Sequence, residues 1–209
     1  GRFQHLLPDI LPGHPTGVAA HKGHPGRISP QAPGGDLGVG GNDAHDTELH
    51  SQGLGGNLRE DRIRSLAYVG LADTYVLLER YGTMDHSEAL ANAEPAAERA
   101  LELDSDLGEA LASLGSVRLL QQDYAAAEQA FRRALELNSN YAPAYDGYAL
   151  LMRWGFADKD KALELHQLAL ELDPLSTAIN MAVVEDYLEL GRFEDALARC
   201  RRIIEIDPE

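Results

Sequence analysis

A stretch of 34 residues, numbered 108–141, recurs along the chain and limits what the chain can fold into. It reads GEALASLGSVRLLQQDYAAAEQAFRRALELNSNY, and in each half the apolar residues recur three and four positions apart. These residues are Ala110, Leu111, Leu114, Gly115, Val117 and Leu119 in the first half and Tyr124, Ala127, Phe131, Ala134, Leu135 and Leu137 in the second. The spacing predicts two amphipathic helices joined by a turn. Because neither helix can bury its apolar stripe alone, we expect them to pack as a hairpin.

The unit occurs four times in the same phase. An aspartate or asparagine follows the second helical pattern of each unit. These residues are Asp104, Asn138, Asp173 and Asp207, and they follow one another at intervals of 34, 35 and 34 residues. The four units cover residues 65–107, 108–141, 142–176 and 177–209. Hairpins repeated at such a period bury a continuous core only by stacking on their neighbours. This part of the chain is therefore predicted to be all-α.

The unit resembles the tetratricopeptide repeat (TPR), a helix–turn–helix repeat of about 34 residues. The second unit carries the family's apolar and small positions through Leu111, Leu114, Gly115, Ala127, Phe131 and Ala134, but it departs at Arg118 and Ser139. The fourth unit is the weakest match, with Tyr187, Ala196 and Pro208. The resemblance implies a right-handed α-solenoid of about four hairpins, and it does not extend to the N-terminal segment.

That N-terminal segment, residues 1–64, differs from the rest in composition. It holds 13 of the 20 glycines, 6 of the 10 prolines and 6 of the 8 histidines. A segment so poor in large apolar residues cannot offset its ordering entropy. We expect it to be mostly disordered, with helix only near residues 57–64. One hypothesis is that residues 4–60 are translated from a shifted reading frame; the nucleotide sequence would contradict it if neither other frame encoded a helical repeat.

Charge and cysteine usage restrict the partners and the compartment. Residues 65–209 carry 27 of the 34 acidic residues but only 12 of the 18 basic ones. Such a domain is expected to repel nucleic acid and anionic membranes. No apolar run approaches the roughly 18 residues of a membrane span, and the N-terminus lacks a signal-peptide pattern. A lone cysteine, Cys200, fits a reducing compartment, so we expect a cytoplasmic protein.

The ends of the sequence and the first unit are unusual. The chain begins at Gly1 rather than Met and ends one residue after an Asp-Pro pair, so we expect a fragment of a longer protein, with a processed or tagged chain as the alternative. In the first unit Ala93 follows Tyr75 by 18 residues, twice the family's spacing. Asp85 with Glu88 is typical of a capping box that opens the second helix. Pro95 is predicted to kink that helix or to mark where its regular part begins.

The sequence shows no catalytic constellation, and we predict that the protein is not an enzyme. Cys200 and His166 both occupy unit position 24, where packing in or near the core is the favoured interpretation. Two histidines and two aspartates within residues 43–50 are the candidate metal ligands. They lie in a glycine-rich tract with nothing to fix their geometry, so we expect no metal and no cofactor.

The family resemblance implies a binding surface. TPR solenoids bind extended or helical peptides in a concave groove lined by the first helix of each unit. The candidate groove residues at those positions are Asp73, Glu109, Ser116, Asp146, Leu150, Arg153, Trp154, Met181, Glu185 and Glu189. Their acidic and apolar character predicts a protein or peptide partner that is apolar with basic residues. Val69 and Asp73 replace the Lys and Asn that some family members use to clamp a chaperone's carboxylates, so such a tail is not expected.

Three interpretations remain open beside this groove. Trp154 is either a binding anchor or, as favoured, a packing residue at the turn between helices. Ala196, Ile203 and Ile204 have no following repeat to cover them, so the last helix is a candidate surface for self-association. The histidine-rich head is a weaker candidate for a metal-binding tail.

A finer resemblance concerns the parent protein. The runs AYVGLADTYVLL, AEQAFRRALELN and ELDPLS are similar to repeat regions of bacterial signalling proteins. There they follow winged-helix, adenylate cyclase or serine/threonine kinase domains. The resemblance implies a sensory or scaffolding arm of a signalling or transcription-regulating protein.

Overall fold

The computed structural model describes residues 43–206, with side chains from 57 to 205, and this part is helical without strands. It contains eight helices. They are α1 (Asp43–Arg80), α2 (His86–Leu103), α3 (Gly108–Leu120), α4 (Tyr124–Leu137), α5 (Ala142–Gly155), α6 (Lys159–Leu172), α7 (Thr177–Glu189) and α8 (Phe193–Ile206). Their bounds follow the four sequence units in order.

The helices stack as hairpins along one direction. α1 pairs with α2, α3 with α4, α5 with α6 and α7 with α8, and each hairpin packs on the next. The first helices also contact one another, α1 with α3 and α3 with α5. One apolar core runs through the second, third and fourth hairpins, and two smaller clusters join the first hairpin to the second. The predicted all-α solenoid is confirmed, because each core is shared between adjacent hairpins.

The start of α1 corrects the expected extent of the disordered segment. Helix was expected no earlier than residue 57, yet α1 begins at Asp43 and runs through residue 64 into the first unit. The chain has no proline between Asp43 and Arg80, and the glycines at 53, 55 and 56 weaken a helix without blocking it. Residues 1–42 lie outside the described part, and the reading-frame hypothesis stays untested.

The N-terminal ends of α4 and α2 are capped differently. Asp123 caps α4 by accepting the backbone N–H of Ala126. Asp85 is the N-cap of α2, but its side chain makes no capping hydrogen bond, so the predicted capping box does not form. Its backbone carbonyl accepts the N–H of Ala89, and the helix start is fixed by the backbone alone. α2 continues through Pro95 to its end.

The insertion in the first unit lengthens both helices of its hairpin. α1 ends at the sixteenth residue of its unit, whereas α3 ends at the thirteenth residue of the next. α2 has 18 residues, and its counterpart α4 has 14. Each helix therefore gains about one turn, and the tip of the first hairpin extends beyond the tip of the second.

Candidate functional site

A cavity of about 590 Å³ lies where the first helices of three hairpins meet. Its walls come from α1, α3 and α5, with further residues from the start of α2 and the turn before α4. The lining residues of α5 recur every three or four positions, from Pro143 through Asp146 and Leu150 to Trp154. This is the spacing of one helix face, so these four side chains lie on the same side of α5.

Five of the ten candidate groove residues line this cavity. They are Asp73, Ser116, Asp146, Leu150 and Trp154. The other five do not line it, and they are Glu109, Arg153, Met181, Glu185 and Glu189. Glu109 accepts a hydrogen bond from Asn138 at 3.1 Å, and Met181 is exposed on α7. The structure thus brings together five candidates of the first three units. It leaves apart Glu109 of the second unit, Arg153 of the third unit and all three candidates of the fourth.

Asp73 is a partly buried acid on the α1 wall of the cavity. Its Oδ1 accepts a hydrogen bond from the Ser113 hydroxyl at 2.5 Å, and within the described side chains no basic group forms an ion pair with it. Burial raises the pKa of Asp73, and the hydrogen bond from Ser113 opposes part of that rise. Burial likewise raises the pKa of the neighbouring Tyr141 to about 12, with the charges of Asp73 and Glu109 adding to the effect. This side of the cavity is therefore poorly hydrated and electronegative.

Asp146 connects the cavity to a buried polar network. Its Oδ1 lies 3.5 Å from Nε2 of His166, whose Nδ1 lies 2.5 Å from Oδ2 of Asp186. Asp186 also accepts a hydrogen bond from the guanidinium of Arg153. His166 and Asp186 are almost fully buried, as the favoured core interpretation of His166 predicts. The network joins α5, α6 and α7 by charge and hydrogen bonding.

Arg153 occupies a different place from the one expected of a groove residue. Its side chain is only 3% exposed, and its guanidinium donates to Glu185 at 2.9 Å and to the carbonyl of Ala182 at 3.1 Å. The side chain of Arg153 is directed toward α7 and not into the cavity, because Asp186 of α7 is a buried counter-charge. Glu185 and Glu189 lie beside the same guanidinium, so these three charged residues join neighbouring hairpins.

Sequence reasoning missed Asp186, although the sequence contains a signal for it. Asp186 stands three and seven residues after Val183 and Ile179, both of which are buried. An acid on the apolar face of a helix predicts a buried ionic partner. The identity of the partner depends on the next hairpin, and only the structure supplies it.

Trp154 lies at the rim of the cavity, where Arg80 covers its ring. Trp154 is 53% exposed, so it is not a buried packing residue. The Cζ of Arg80 lies 5.4 Å from the ring centroid, which is within the range of a cation–π contact. This contact joins the first hairpin directly to the third. Glu79, Arg80 and His86 line the cavity from the turns that the insertion adds, and the sequence did not predict that role.

Comparison with known proteins agrees with this architecture. Residues 108–141 match the family model described as tetratricopeptide repeat. The chain is similar in structure to PilF of Pseudomonas aeruginosa, with 18% identity and a TM-score of 0.57 over 71% of this chain and 64% of that one. It is also similar to a thermophilic TPR protein of Thermus thermophilus, TTC0263, with 19% identity and a TM-score of 0.58 over 78% and 90% of the two chains.

A third similar structure is MamA, with 20% identity and a TM-score of 0.50 over 80% of this chain and 96% of that one. The present chain thus spans under two thirds of PilF but nearly all of MamA. No curated protein matches the sequence. At these identities the likeness establishes the fold, an α-solenoid of TPR-type hairpins.

Two further properties of the described part bear on its chemistry. None of its helices combines the length and the hydropathy that a membrane span requires. Among the side chains that the structure describes, no group of histidine, cysteine and acidic residues has the arrangement of a metal site. The candidate ligands within residues 43–50 lie outside those side chains.

Proposed function

We propose that this chain is a protein–protein interaction module and that its cavity binds an apolar peptide segment carrying a basic residue. The cavity is formed by the rigid first helices of three hairpins and is open before any partner arrives. A partner therefore loses little free energy to rearrangement of the groove. The protein acts by holding this segment, and catalysis has no part in the proposal.

The observation that carries the proposal is the environment of Asp73. A poorly hydrated carboxylate without a cation is unfavourable in the free protein, and a partner's lysine or arginine would relieve that cost. Val76, Leu77 and Leu119 line the same cavity and provide apolar contact for the residues beside such a cation. Asp146 adds a second acid on the α5 wall.

The test is to select peptides from a random library that lacks tryptophan, using the full chain as bait. Trp154 is the only tryptophan of the protein, so its fluorescence reports binding at the cavity rim. The variant Asp73→Asn with Asp146→Asn is expected to weaken the binding of the selected peptides at least about tenfold. Asp160→Asn with Asp195→Asn, which changes net charge equally at exposed sites, is the matched control. Failure to enrich any peptide, or equal binding by both double variants, would contradict the proposal.

The wider role that we propose is a sensory or scaffolding arm in a bacterial cytoplasmic signalling or regulatory protein. The motive is the likeness of the runs AYVGLADTYVLL and ELDPLS to repeats in such proteins. Determining the full open reading frame tests this role. A kinase, cyclase or winged-helix domain encoded in the same frame would support it, and a frame without any output domain would count against it.

Self-association is a second candidate function, favoured by one face of α8. Ala196 is buried against the preceding helix and so is already covered. Phe193, Leu197 and Ile204, which lie four and seven residues apart, are at least half exposed. They form an apolar stripe that a second copy could cover. Light scattering on the full chain tests this, and a monomer at high concentration would exclude it.

A further inference from the structure

Arg80 is held against Trp154 without an acidic partner. Within the described side chains its guanidinium lies over the indole ring and forms no ion pair. Glu79, the adjacent acid, is engaged by His86 at 3.1 Å. A guanidinium that lies over an aromatic ring keeps the N–H donors along its edge available. Arg80 therefore presents an oriented fork of donors at the cavity rim.

The segment that carries Arg80 is particular to the first hairpin. α1 continues to the sixteenth residue of its unit, whereas α5 stops at the fourteenth and α7 at the thirteenth. Arg80 is the last residue of α1, so it exists at this position only because of the insertion. The added turn places a cation beside a cavity that otherwise contains mainly acids and apolar residues.

Arg80 and Asp73 give the cavity opposite charges at its two ends. The two residues are seven positions apart, which places them on the same face of α1 about 10 Å from each other along the axis. Both line the cavity. Asp73 has no cation paired with it, and Arg80 has no anion, among the side chains that the structure describes. A partner with two charged groups can satisfy both at once.

We propose that Arg80, oriented by Trp154, binds a carboxylate of the partner segment while a basic side chain of the same segment pairs with Asp73. This inference rests on the proposed function of the cavity. An extended peptide spans about 10 Å in three residues, so the two charges of the partner stand about three residues apart. A guanidinium and a carboxylate can form two parallel hydrogen bonds, which makes the contact specific. An acidic side chain or a free C-terminus can supply this carboxylate.

The experiment uses the most enriched peptide from the selection described above, synthesised in matched forms. One form carries amides in place of its acidic side chains, and another carries a C-terminal amide in place of the free carboxylate. Kd is measured by calorimetry for each form with the wild-type chain and with Arg80→Gln. Arg99→Gln, which removes an exposed arginine that pairs with Glu102 and does not line the cavity, is the control.

We expect Arg80→Gln to weaken binding of the parent peptide about tenfold. Removing the relevant carboxylate should weaken binding to the wild type equally, and the two changes together should cost no more than either alone. If the form with amidated side chains shows this coupling, Arg80 binds an acidic side chain of the peptide. If the form with the C-terminal amide shows it, Arg80 binds the free C-terminus. Additive losses, or no loss with Arg80→Gln, would overturn the inference. Neither result would affect the test of the cavity through Asp73 and Asp146.

Discussion

Phe131 lies so close to Gly147 that any side chain at this position would force a neighbouring group to move. A Cβ on Gly147 would stand 2.6 Å from Cε1 of Phe131, which is closer than side-chain atoms approach one another. Phe131 is fully buried and stacks on Tyr148 with a centroid distance of 6.1 Å. The ring fills the space between the second and third hairpins, and the missing side chain of Gly147 allows α5 to approach it.

Gly147→Ala is therefore expected to destabilise the protein. The added methyl group forces Phe131 or α5 to move, and overpacking of this kind costs about 1–3 kcal/mol. Urea unfolding followed by circular dichroism measures the change. Gly70→Ala is the matched control, because a Cβ on Gly70 of α1 meets nothing within 4 Å. The control should gain about 0.5–1 kcal/mol from the better helix propensity of alanine, and a loss at Gly70 with none at Gly147 would contradict the packing argument.

The two aspartates at the starts of α2 and α4 predict unequal effects. Asp123→Ala removes the hydrogen bond from the Ala126 N–H, made at 3.1 Å, and should cost about 1 kcal/mol. Asp85→Ala removes a residue whose side chain caps nothing, and its cost should be clearly smaller. Thermal unfolding of both variants gives the comparison. Equal losses would mean that the Asp85 side chain does cap α2 in solution.

The periodic part of the structure follows from local sequence, and this explains which predictions succeeded. The offsets of three and four residues predict each hairpin and the order in which the hairpins follow one another. The orientation of Arg153 depends instead on Asp186, a residue 33 positions later in the chain. No local pattern contains that relationship, because it arises only when two hairpins stack.

The N-terminal part of α1 and the wall around Arg80 show two other limits of sequence reasoning. Glycine content indicated disorder up to residue 56, although a stretch without proline can still form a helix. The extra spacing before Ala93 indicated the insertion, but the sequence did not show where the added residues would lie. The helix bounds were needed to show that the added residues extend α1 to Arg80 and so reach Trp154.

The buried pair of Arg153 and Asp186 predicts a large loss of stability when one partner is removed. Asp186→Asn leaves the guanidinium of Arg153 buried with a weaker acceptor, and breaking a buried ion pair in this way costs about 3–5 kcal/mol. Glu185→Gln is the control, because Glu185 contacts the same guanidinium but its side chain is 58% exposed. Its loss should stay below about 1 kcal/mol. Urea unfolding measures both, and equal effects would contradict the structural role of Asp186.

Asp73 predicts the opposite behaviour, since its charge is unfavourable in the free protein. Its pKa in the folded state is raised above the ordinary value of 3.8, so the folded protein holds this proton more tightly than the unfolded chain does. Linkage then requires that Asp73 lowers stability as the pH rises from the ordinary pKa through the raised one. Above that window the cost is complete.

Asp73→Asn removes this cost and keeps an oxygen that can accept the hydrogen bond from Ser113. We therefore expect the variant to unfold at a higher temperature than the wild type at pH 7, and we expect the difference to disappear below pH 3.8, where both states of the wild type bind the proton. Asp195→Asn, at an exposed carboxylate on α8, is the control for net charge. A lower melting temperature for Asp73→Asn at pH 7 would show that a cation already pairs with Asp73. An increase together with weaker peptide binding would show that the free protein gives up stability at this carboxylate because a partner's basic group binds there.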